Sequence, residues 1–354
     1  MRVARCIALL LGWASLFVWT GCHKEVQDVP LLARLIGISD KFYDVQALDA
    51  DHAIVVGYGG KILITSDGGF TWSQAPSGTD GALYRVRFVD ANTGWISGQD
   101  GIILHSTDGG KTWQRQTTNT TVYLFALHFL DANNGWAVGD KSIALETHDG
   151  GATWTLRKVI TQAQREMKPD EAIASADPVL YDVQFVDTNT GWIVGEFGKI
   201  FHTTDGGKIW TAQEQSLIGG EVLDALDLPS LFGVHFVNGQ DGVASGLDGK
   251  IARTHDGGGA WKFEKMKLDY PIVDPLFNPY LFADGTGWAL GAAGEVVRLT
   301  SAGGEWQRVK LGMEVLTWLR GMYWLDQNNG WIVGGYGLIL HTNDGGKTWI
   351  PSLA

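Results

Sequence analysis

The chain has 354 residues and a formal net charge of −12 at pH 7, with 27 Lys and Arg against 39 Asp and Glu. An acidic balance of this size argues against binding to a phosphate backbone, so no nucleic-acid partner is expected. Glycine contributes 48 residues and tryptophan 16, far above ordinary use, whereas cysteine contributes only 2. The length alone allows two domains, and the repeats described below favour one.

The first 22 residues have the pattern of an export signal. Two arginines precede an apolar stretch that ends at Trp19 and is too short to span a bilayer. Small residues stand directly before Cys22. This resembles the lipobox of bacterial lipoproteins, which implies lipidation of the Cys22 thiol and a membrane anchor. Trp19 stands where an aliphatic residue is usual, so plain signal cleavage is the alternative.

The same resemblance implies an exported protein. Because His23 is not Asp, we expect the periplasmic face of the outer membrane, or the thylakoid lumen if the organism is photosynthetic. Removal of the signal takes Cys6 away and lipidation occupies Cys22, so no disulfide is expected. Residues 23–41 are predicted to be a tether, although four apolar side chains could dock on the folded domain: Leu31, Leu32, Leu35 and Ile36.

A unit of about 25 residues recurs seven times, most clearly at residues 88–113. Each copy holds four short apolar segments of alternating pattern, separated by glycine turns, which is typical of a four-stranded antiparallel meander. Units at this period predict an all-β, seven-bladed β-propeller of four-stranded blades over residues 42–354. The copies end at seven tryptophans: Trp72, Trp113, Trp154, Trp210, Trp261, Trp306 and Trp349.

Each unit closes on the Asp-box sequence Thr-Asp-Gly-Gly-x-Thr-Trp or a variant of it. The carboxylate can accept hydrogen bonds from turn amides, and the glycines tolerate positive φ. Because it recurs around the ring, this aspartate is expected to clamp a turn and not to perform chemistry. Unit 6 has Ala302 in this position and is expected to be the least firmly held. The six aspartates are Asp67, Asp108, Asp149, Asp205, Asp256 and Asp344.

Two polar columns flank an apolar column along the first strands of the units, and they are predicted to line the central channel. In unit 6 the alignment puts Pro279 and Leu281 in these columns. The charged and titratable members are Asp44, Arg85, Arg87, His128, Asp182 and His235.

These channel residues are expected to form solvated ion pairs. A glycosidase needs two carboxylates at a set separation, one with a raised pKa, whereas Asp44 and Asp182 lie three blades apart. The chain shows no metal-ligand spacing, nucleophile elbow or phosphate loop. We therefore expect no catalytic residue, no metal and no cofactor.

Three long connections, at residues 155–180, 211–231 and 262–280, join the last strand of one blade to the first strand of the next. All such crossovers of a meander emerge on one face of the ring, opposite the Asp boxes. The third connection is apolar and stiffened by prolines, which favours a docking surface. The alternative is that it only caps blades 5 and 6. Its predicted partner-binding residues are Tyr270, Ile272, Phe277 and Tyr280.

The unit Asp-x3-Gly-Trp-x2-Gly-x2-Gly-x-Ile-x2-Thr-x-Asp-Gly-Gly-x-Thr-Trp is met nearly in full at residues 90–113 and 187–210, and well at residues 326–349. It resembles the photosystem II assembly and stability factor family. The resemblance implies a non-catalytic, monomeric propeller that assists assembly of a membrane-protein complex. The identity of that client stays open.

Photosynthetic members are expected to carry an arginine-rich patch, whereas the arginines of this chain are scattered, so no binding residue is carried over. The alternative function is a secreted carbohydrate-binding or glycoside-hydrolase propeller. Sialidases share the Asp box but need three arginines from different blades, and only Arg85 and Arg87 fall in the channel columns.

Overall fold

The computed structural model describes residues 35–160, 177–218 and 228–352. The predicted signal, Cys22 and the tether up to residue 34 lie outside the described residues. So do the polar centres of the first and second insertions.

Seven sheets follow one another along the chain, and each is built on four consecutive antiparallel strands that form one blade. The innermost strands are Phe42–Ala47, Leu83–Phe88, Leu124–Phe129, Leu180–Phe185, Leu231–Phe236, Leu276–Leu281 and Leu319–Trp324. The second strands are Ala53–Gly57, Gly94–Gly98, Gly135–Gly139, Gly191–Gly195, Gly242–Gly246, Gly287–Gly291 and Gly330–Gly334. The predicted seven-bladed β-propeller is confirmed.

The outer half of each blade is shorter. The third strands are Ile62–Thr65, Ile103–Ser106, Ile143–Thr147, Ile200–Thr203, Ile251–Thr254, Val296–Leu299 and Ile339–Thr342. The outermost strands are Ser73–Ala75, Gln114–Arg115, Thr155–Lys158, Thr211–Ala212, Lys262–Phe263, Trp306–Arg308 and Ile350–Pro351. Short 3-10 turns are Tyr58–Gly60, Gln99–Gly101, Asp140–Ser142, Glu196–Gly198, Glu214–Ile218, Leu247–Gly249 and Ala292–Gly294.

The second strand of every blade is buried at all five positions, because neighbouring blades cover both of its faces. In blade 2 the Trp95 indole stacks on Phe129 of blade 3, with ring centroids 3.6 Å apart. Its Nε1 donates a 3.0 Å hydrogen bond to the carbonyl of Gly150 in the next Asp box. Trp136 and Trp192 repeat this contact at the next two interfaces. The Gly-Trp pair of the repeat therefore joins blades and does not mark a ligand site.

The Asp box is a closed hydrogen-bonded turn, seen clearly in blade 2. Thr112 donates to Asp108 from its amide at 2.9 Å and from its hydroxyl at 2.6 Å. Ser106 donates to the same carboxylate at 2.9 Å and accepts from the amide of Gly110. The hydrogen bonds from the Thr112 side chain and amide lower the pKa of Asp108 to about 2. The charged carboxylate is therefore the form that holds the turn.

Three boxes depart from this pattern. Ile209 and Ala260 replace the second threonine in blades 4 and 5, so the aspartate there accepts the amide of that residue and the hydroxyl of the first threonine, but loses the second hydroxyl. Blade 6 has Ala302 in place of the aspartate, and a backbone bond from Gly304 to Ser301 closes its turn. The carboxylate clamp is absent from this blade among the described residues.

Blade 6 has a fifth strand, which the sequence did not predict. Met266–Lys267, from the third insertion, pairs in parallel with the outermost strand Trp306–Arg308. Arg308 stacks on Tyr270, with its guanidinium 3.6 Å from the ring centroid, and donates to Glu295 at 2.9 Å. The insertion thus covers the outer edge of the blade that lacks an Asp-box clamp.

The ring closes without sharing a strand between its two ends, because blades 1 and 7 are each complete from consecutive residues. Instead, residues 35–41 lie across the joint. Lys61 of blade 1 donates to the Leu35 carbonyl at 2.6 Å and to Asp40 at 2.7 Å. The Asp40 carbonyl accepts from the amide of Gly337 in blade 7. We refer to residues 35–41 as the clasp.

The clasp shortens the predicted tether, since its residues belong to the ring. Ile36 is buried in the same apolar cluster as Trp331 of blade 7. The blades also approach closely here, because a Cβ added at Gly321 would lie 2.6 Å from the Cα of Asp44. Of the four residues considered for docking, Leu35 and Ile36 do dock.

We predict that Asp108→Ala lowers the free energy of unfolding by on the order of 1 kcal/mol, since Ser106 and Thr112 lose their shared acceptor. Urea unfolding measures this change. Asp80→Ala is the control, because Asp80 is exposed and has no side-chain partner in the described part of the chain. Equal unfolding midpoints for the two variants would contradict the clamp.

Candidate functional site

The innermost strand of each blade starts at the crossover face with a β-bulge, where the pairing register shifts by one residue. A bulge leaves one residue unpaired and turns its side chain out of the strict alternation. The seven bulged residues are Tyr43, Tyr84, Phe125, Tyr181, Phe232, Phe277 and Arg320. We call them the mouth ring.

The mouth ring is continuous around the channel entrance. Its five aromatic contacts have centroid separations between 4.9 and 5.9 Å. Arg320 completes the circle, with its guanidinium 5.6 Å from the ring centroids of both Phe277 and Tyr43. The seven side chains of the mouth ring, together with Arg85 and Asn278 just below them, line a cavity at this end of the channel.

The charged channel residues lie directly below and are paired. Arg85 donates to Asp182 at 2.6 Å, and Arg87 donates to Asp44 at 2.9 Å. Burial alone would lower the pKa of Arg85, but Asp182 and Asp44 hold it above its usual value. The structure brings the predicted pairs together, but Asp44 and Asp182 are buried, whereas solvated pairs were expected.

The two channel histidines are neutral side chains. Burial, followed by the charge of Arg87, lowers the pKa of His128 to about 3 and that of His235 to about 4. The Nδ1 atom of His235 accepts the amide of Leu281 in the next blade at 3.1 Å. A histidine held neutral and used as a backbone acceptor is poorly placed to act as a general acid near pH 7.

Other polar channel side chains also bind the backbone of the next blade. Gln46 accepts from the amide of Phe88 at 2.8 Å and donates to its carbonyl at 3.0 Å. Asp44 accepts the amide of Val86, and Asp182 accepts the amide of Val234, each at 3.0 Å. Most of these polar channel side chains thus form hydrogen bonds that join one innermost strand to the next.

The structure corrects the alignment of unit 6 by one residue. Asn278, not Pro279, pairs in the position that Asp44 occupies in blade 1, and Tyr280, not Leu281, takes the position of Gln46. The other six units carry the same bulge and fit the predicted columns, so the shift is specific to unit 6, where Pro279 stands in the apolar position that Val45 holds in blade 1.

The predicted partner-binding loop is also divided by the structure. Tyr270 is 56% exposed, whereas Ile272 is only 7% exposed and belongs to the apolar cluster between blades 5 and 6. Phe277 lies in the mouth ring and Tyr280 lies in the channel, where it stacks on His235 at 4.3 Å. The structure therefore does not bring these four side chains together in one surface loop, because residues 276–281 are the innermost strand, and partner binding by them stays a prediction.

A second feature of the crossover face is its exposed apolar side chains. Phe197 and Tyr336 have φ of 55° and 56° and are 38% and 66% exposed. The equivalent turn residue in blade 1 is Gly59. Bulky residues are rare in this left-handed region. Eight exposed large apolar residues lie in turns and connections of this face: Ile38, Tyr58, Phe197, Leu247, Tyr270, Val273, Leu316 and Tyr336.

Within the described ranges, no cluster of His, Cys, Asp and Glu could hold a metal ion. No helix among those residues is long and apolar enough to cross a membrane.

A family model described as Photosynthesis system II assembly factor YCF48 matches the chain at residues 28–122, 113–171 and 170–226. These matches together span more than half of the chain. A Photosystem II assembly lipoprotein Ycf48 from Nostoc sp. is 30% identical over 170 residues, which cover 47% of this chain and 46% of the relative. The chain spans about half the length of the curated relatives it matches.

Solved structures share the fold. A structure of YCF48 bound to a D1 peptide is 18% identical with a TM-score of 0.65, covering 87% of this chain and 94% of that one. A GH74 xyloglucanase from Xanthomonas campestris is 13% identical with a TM-score of 0.66, covering 89% of this chain and 54% of that one. At these identities the likeness concerns the fold alone.

We predict that Arg85→Met lowers the free energy of unfolding by about 3 kcal/mol, because Asp182 is then left buried without its cation. Urea unfolding at pH 7 measures the loss. Arg115→Met, on the exposed outermost strand of blade 2, is the control and is expected to have little effect. Similar losses in the two variants would show that the buried ion pair contributes no more to the free energy of unfolding than an exposed arginine does.

Proposed function

Because the chain belongs to the YCF48 family of photosystem II assembly factors, we propose that it is a non-catalytic, lipid-anchored assembly factor. It acts as a monomeric ring that holds a segment of a membrane-protein client on its crossover face. The names of its relatives and the YCF48 complex with a D1 peptide support a reaction-centre subunit as the client.

The exposed aromatic residues of the crossover face carry this proposal. Phe197 and Tyr336 occupy a backbone conformation that costs a bulky L-residue roughly 1 to 2 kcal/mol. Glycine would remove that cost, as at Gly59 in blade 1. The same turn also holds a non-glycine residue of positive φ in blades 2, 3, 5 and 6, so the exposed aromatic rings, more than the backbone, set Phe197 and Tyr336 apart. Their exposed rings do not serve the core, so we assign them to contact with a partner.

The charges of the channel support a binding role over a catalytic one. Asp44 and Asp182 are both bound to guanidinium groups and to amides of the next blade. A glycosidase acid must carry a proton near neutral pH and lie opposite a second, free carboxylate. The carbohydrate-active alternative therefore gains no support from the channel, and the xyloglucanase likeness extends to the fold alone.

Lipidation of Cys22 would keep the ring at a membrane surface, beside its client. The relatives named as lipoproteins support this assignment. In a two-membrane cell the proposed location is the periplasmic face of the outer membrane, and in a photosynthetic cell it is the thylakoid lumen.

We predict that the double variant Phe197→Gly/Tyr336→Gly binds a synthetic D1 peptide about tenfold more weakly than the unmodified ring, a loss of about 1.4 kcal/mol. Fluorescence anisotropy measures the binding. The melting temperature should stay the same or rise, because glycine relieves the left-handed backbone.

Ala293→Gly is the matched control, since Ala293 occupies the same turn position in blade 6 and has φ of 53°. This variant gains the same backbone freedom but loses no aromatic ring. Equal binding by the double variant and the unmodified ring would move the client away from these residues. No binding of the peptide by the unmodified ring would contradict a D1 client.

We predict that the wild-type protein sediments with membranes and that Cys22→Ser releases it, because the acyl anchor is lost. Cell fractionation followed by immunoblotting measures the distribution. Cys6→Ser, within the predicted signal, is the control and should leave the protein with the membranes. A wild-type protein recovered wholly away from membranes would contradict the lipid anchor.

A further inference from the structure

The mouth ring and the channel below it carry an unbalanced positive charge. Among the described residues, the charged channel groups and the mouth ring together contain three guanidinium groups, on Arg85, Arg87 and Arg320. Only two carboxylates, on Asp44 and Asp182, face them, and each is paired with one arginine. The two histidines are held neutral by burial. The site therefore has one cation in excess, inside a protein whose net charge is −12.

The excess cation is Arg320. In the described part of the chain no carboxylate pairs with its guanidinium, and no protein acceptor takes a hydrogen bond from it. Its contacts are the aromatic faces of Tyr43 and Phe277. Burial and the neighbouring charge of Arg85 lower its pKa, but an arginine stays charged in proteins. A half-buried guanidinium without an anion is a costly arrangement unless a ligand supplies one.

We propose that the mouth ring binds the carboxylate of a monoanionic ligand, with the Arg320 guanidinium as its partner. A guanidinium presents a planar fork of donors that matches the two oxygens of a carboxylate. One free cation calls for one negative charge, and a dianion would restore the imbalance with opposite sign. Tyr43, Tyr84 and Tyr181 lie on the same ring, and within the described ranges no protein group forms a hydrogen bond with their hydroxyls.

The size of the cavity fixes which part of the ligand enters. Its volume of about 20 Å³ is close to the space of one water-sized group. That space takes one carboxylate oxygen, so the rest of the carboxylate and the body of the ligand lie at the aromatic rim. Aromatic rings at the rim favour a flat or apolar body next to the carboxylate. The ligand class is thus an aryl or alkyl monocarboxylate, either a free acid or a carboxylate displayed by a peptide.

This site does not depend on the assembly role, because a free acid could occupy it without any client. The test is isothermal titration calorimetry in chloride-free buffer with 3-phenylpropionate and, as the uncharged match, 3-phenylpropionamide. A second arm compares the peptide acetyl-Ala-Ala-Phe with a free carboxyl end against its carboxamide. A third arm titrates chloride alone.

The acid should bind and the amide should not, in at least one of the first two arms. Binding limited to phenylpropionate assigns a free acid as the source, and binding of the peptide acid assigns a displayed carboxylate. Arg320→Gln should weaken the binding about tenfold or more. Arg115→Gln, an exposed arginine on blade 2, is the matched control and should leave it unchanged.

The ligand-free protein gives an independent readout. Because Arg320 is an uncompensated cation, Arg320→Gln should melt at the same or a higher temperature than the wild type. Should that variant fail to fold, Arg320→Lys keeps the charge but lacks the fork, and it should bind the acid more weakly. Equal binding of acid and amide, unchanged binding in both Arg320 variants, or chloride binding as tight as the acid would overturn the assignment.

Discussion

The ring depends on one constraint, which is that the innermost strand of every blade has an edge with no strand beside it. Its peptide groups face a narrow channel and must be satisfied by something other than a sheet. In several blades the solution is a polar side chain of the preceding blade. Gln46 binds both backbone groups of Phe88, and Gln184 does the same for Phe236. His235 accepts the amide of Leu281.

At one position in the channel both the acceptor and the donor are missing. Gly233 stands in the position of Asp44 and offers no side chain, and the residue it would serve in blade 6 is Pro279, which has no amide hydrogen. The approach there is close, since a Cβ on Gly233 would lie 2.5 Å from Pro279. The uneven residue types of the channel columns are therefore explained by the need to give the backbone amides of the next blade hydrogen-bond partners. Few polar side chains remain free for catalysis.

The sequence predicted the number of blades, their topology and the Asp boxes, because these follow from a local pattern that repeats. It did not predict the mouth ring, since a bulge breaks the two-residue period and moves one residue per strand to an unexpected face. A signal was present in the sequence. An aromatic residue directly precedes the polar column in units 1 to 5, from Tyr43 to Phe232.

Other parts of the site depend on contacts distant in the chain. The pairing of Arg85 with Asp182 joins residues 97 positions apart, and no local pattern fixes such a distance. Ile272 resembled a docking residue because its loop is apolar, but its side chain packs in the cluster between blades 5 and 6. The fifth strand of that blade could not be inferred either, since a two-residue strand has almost no sequence signature.

Closure of the ring by complete blades has a consequence for how the protein matures. A chain that emerges from its N-terminus can finish each blade from neighbouring residues, so contacts of low sequence separation dominate until the last blade is made. Only then can the clasp bind the amide of Gly337. This last folding step joins the surfaces of two complete blades and inserts no strand. A chain arrested before blade 7 would expose Phe42 and Val45 as an apolar face. Chaperones and proteases would recognise the exposed apolar surface of such an intermediate, although most of its sheets would already be native.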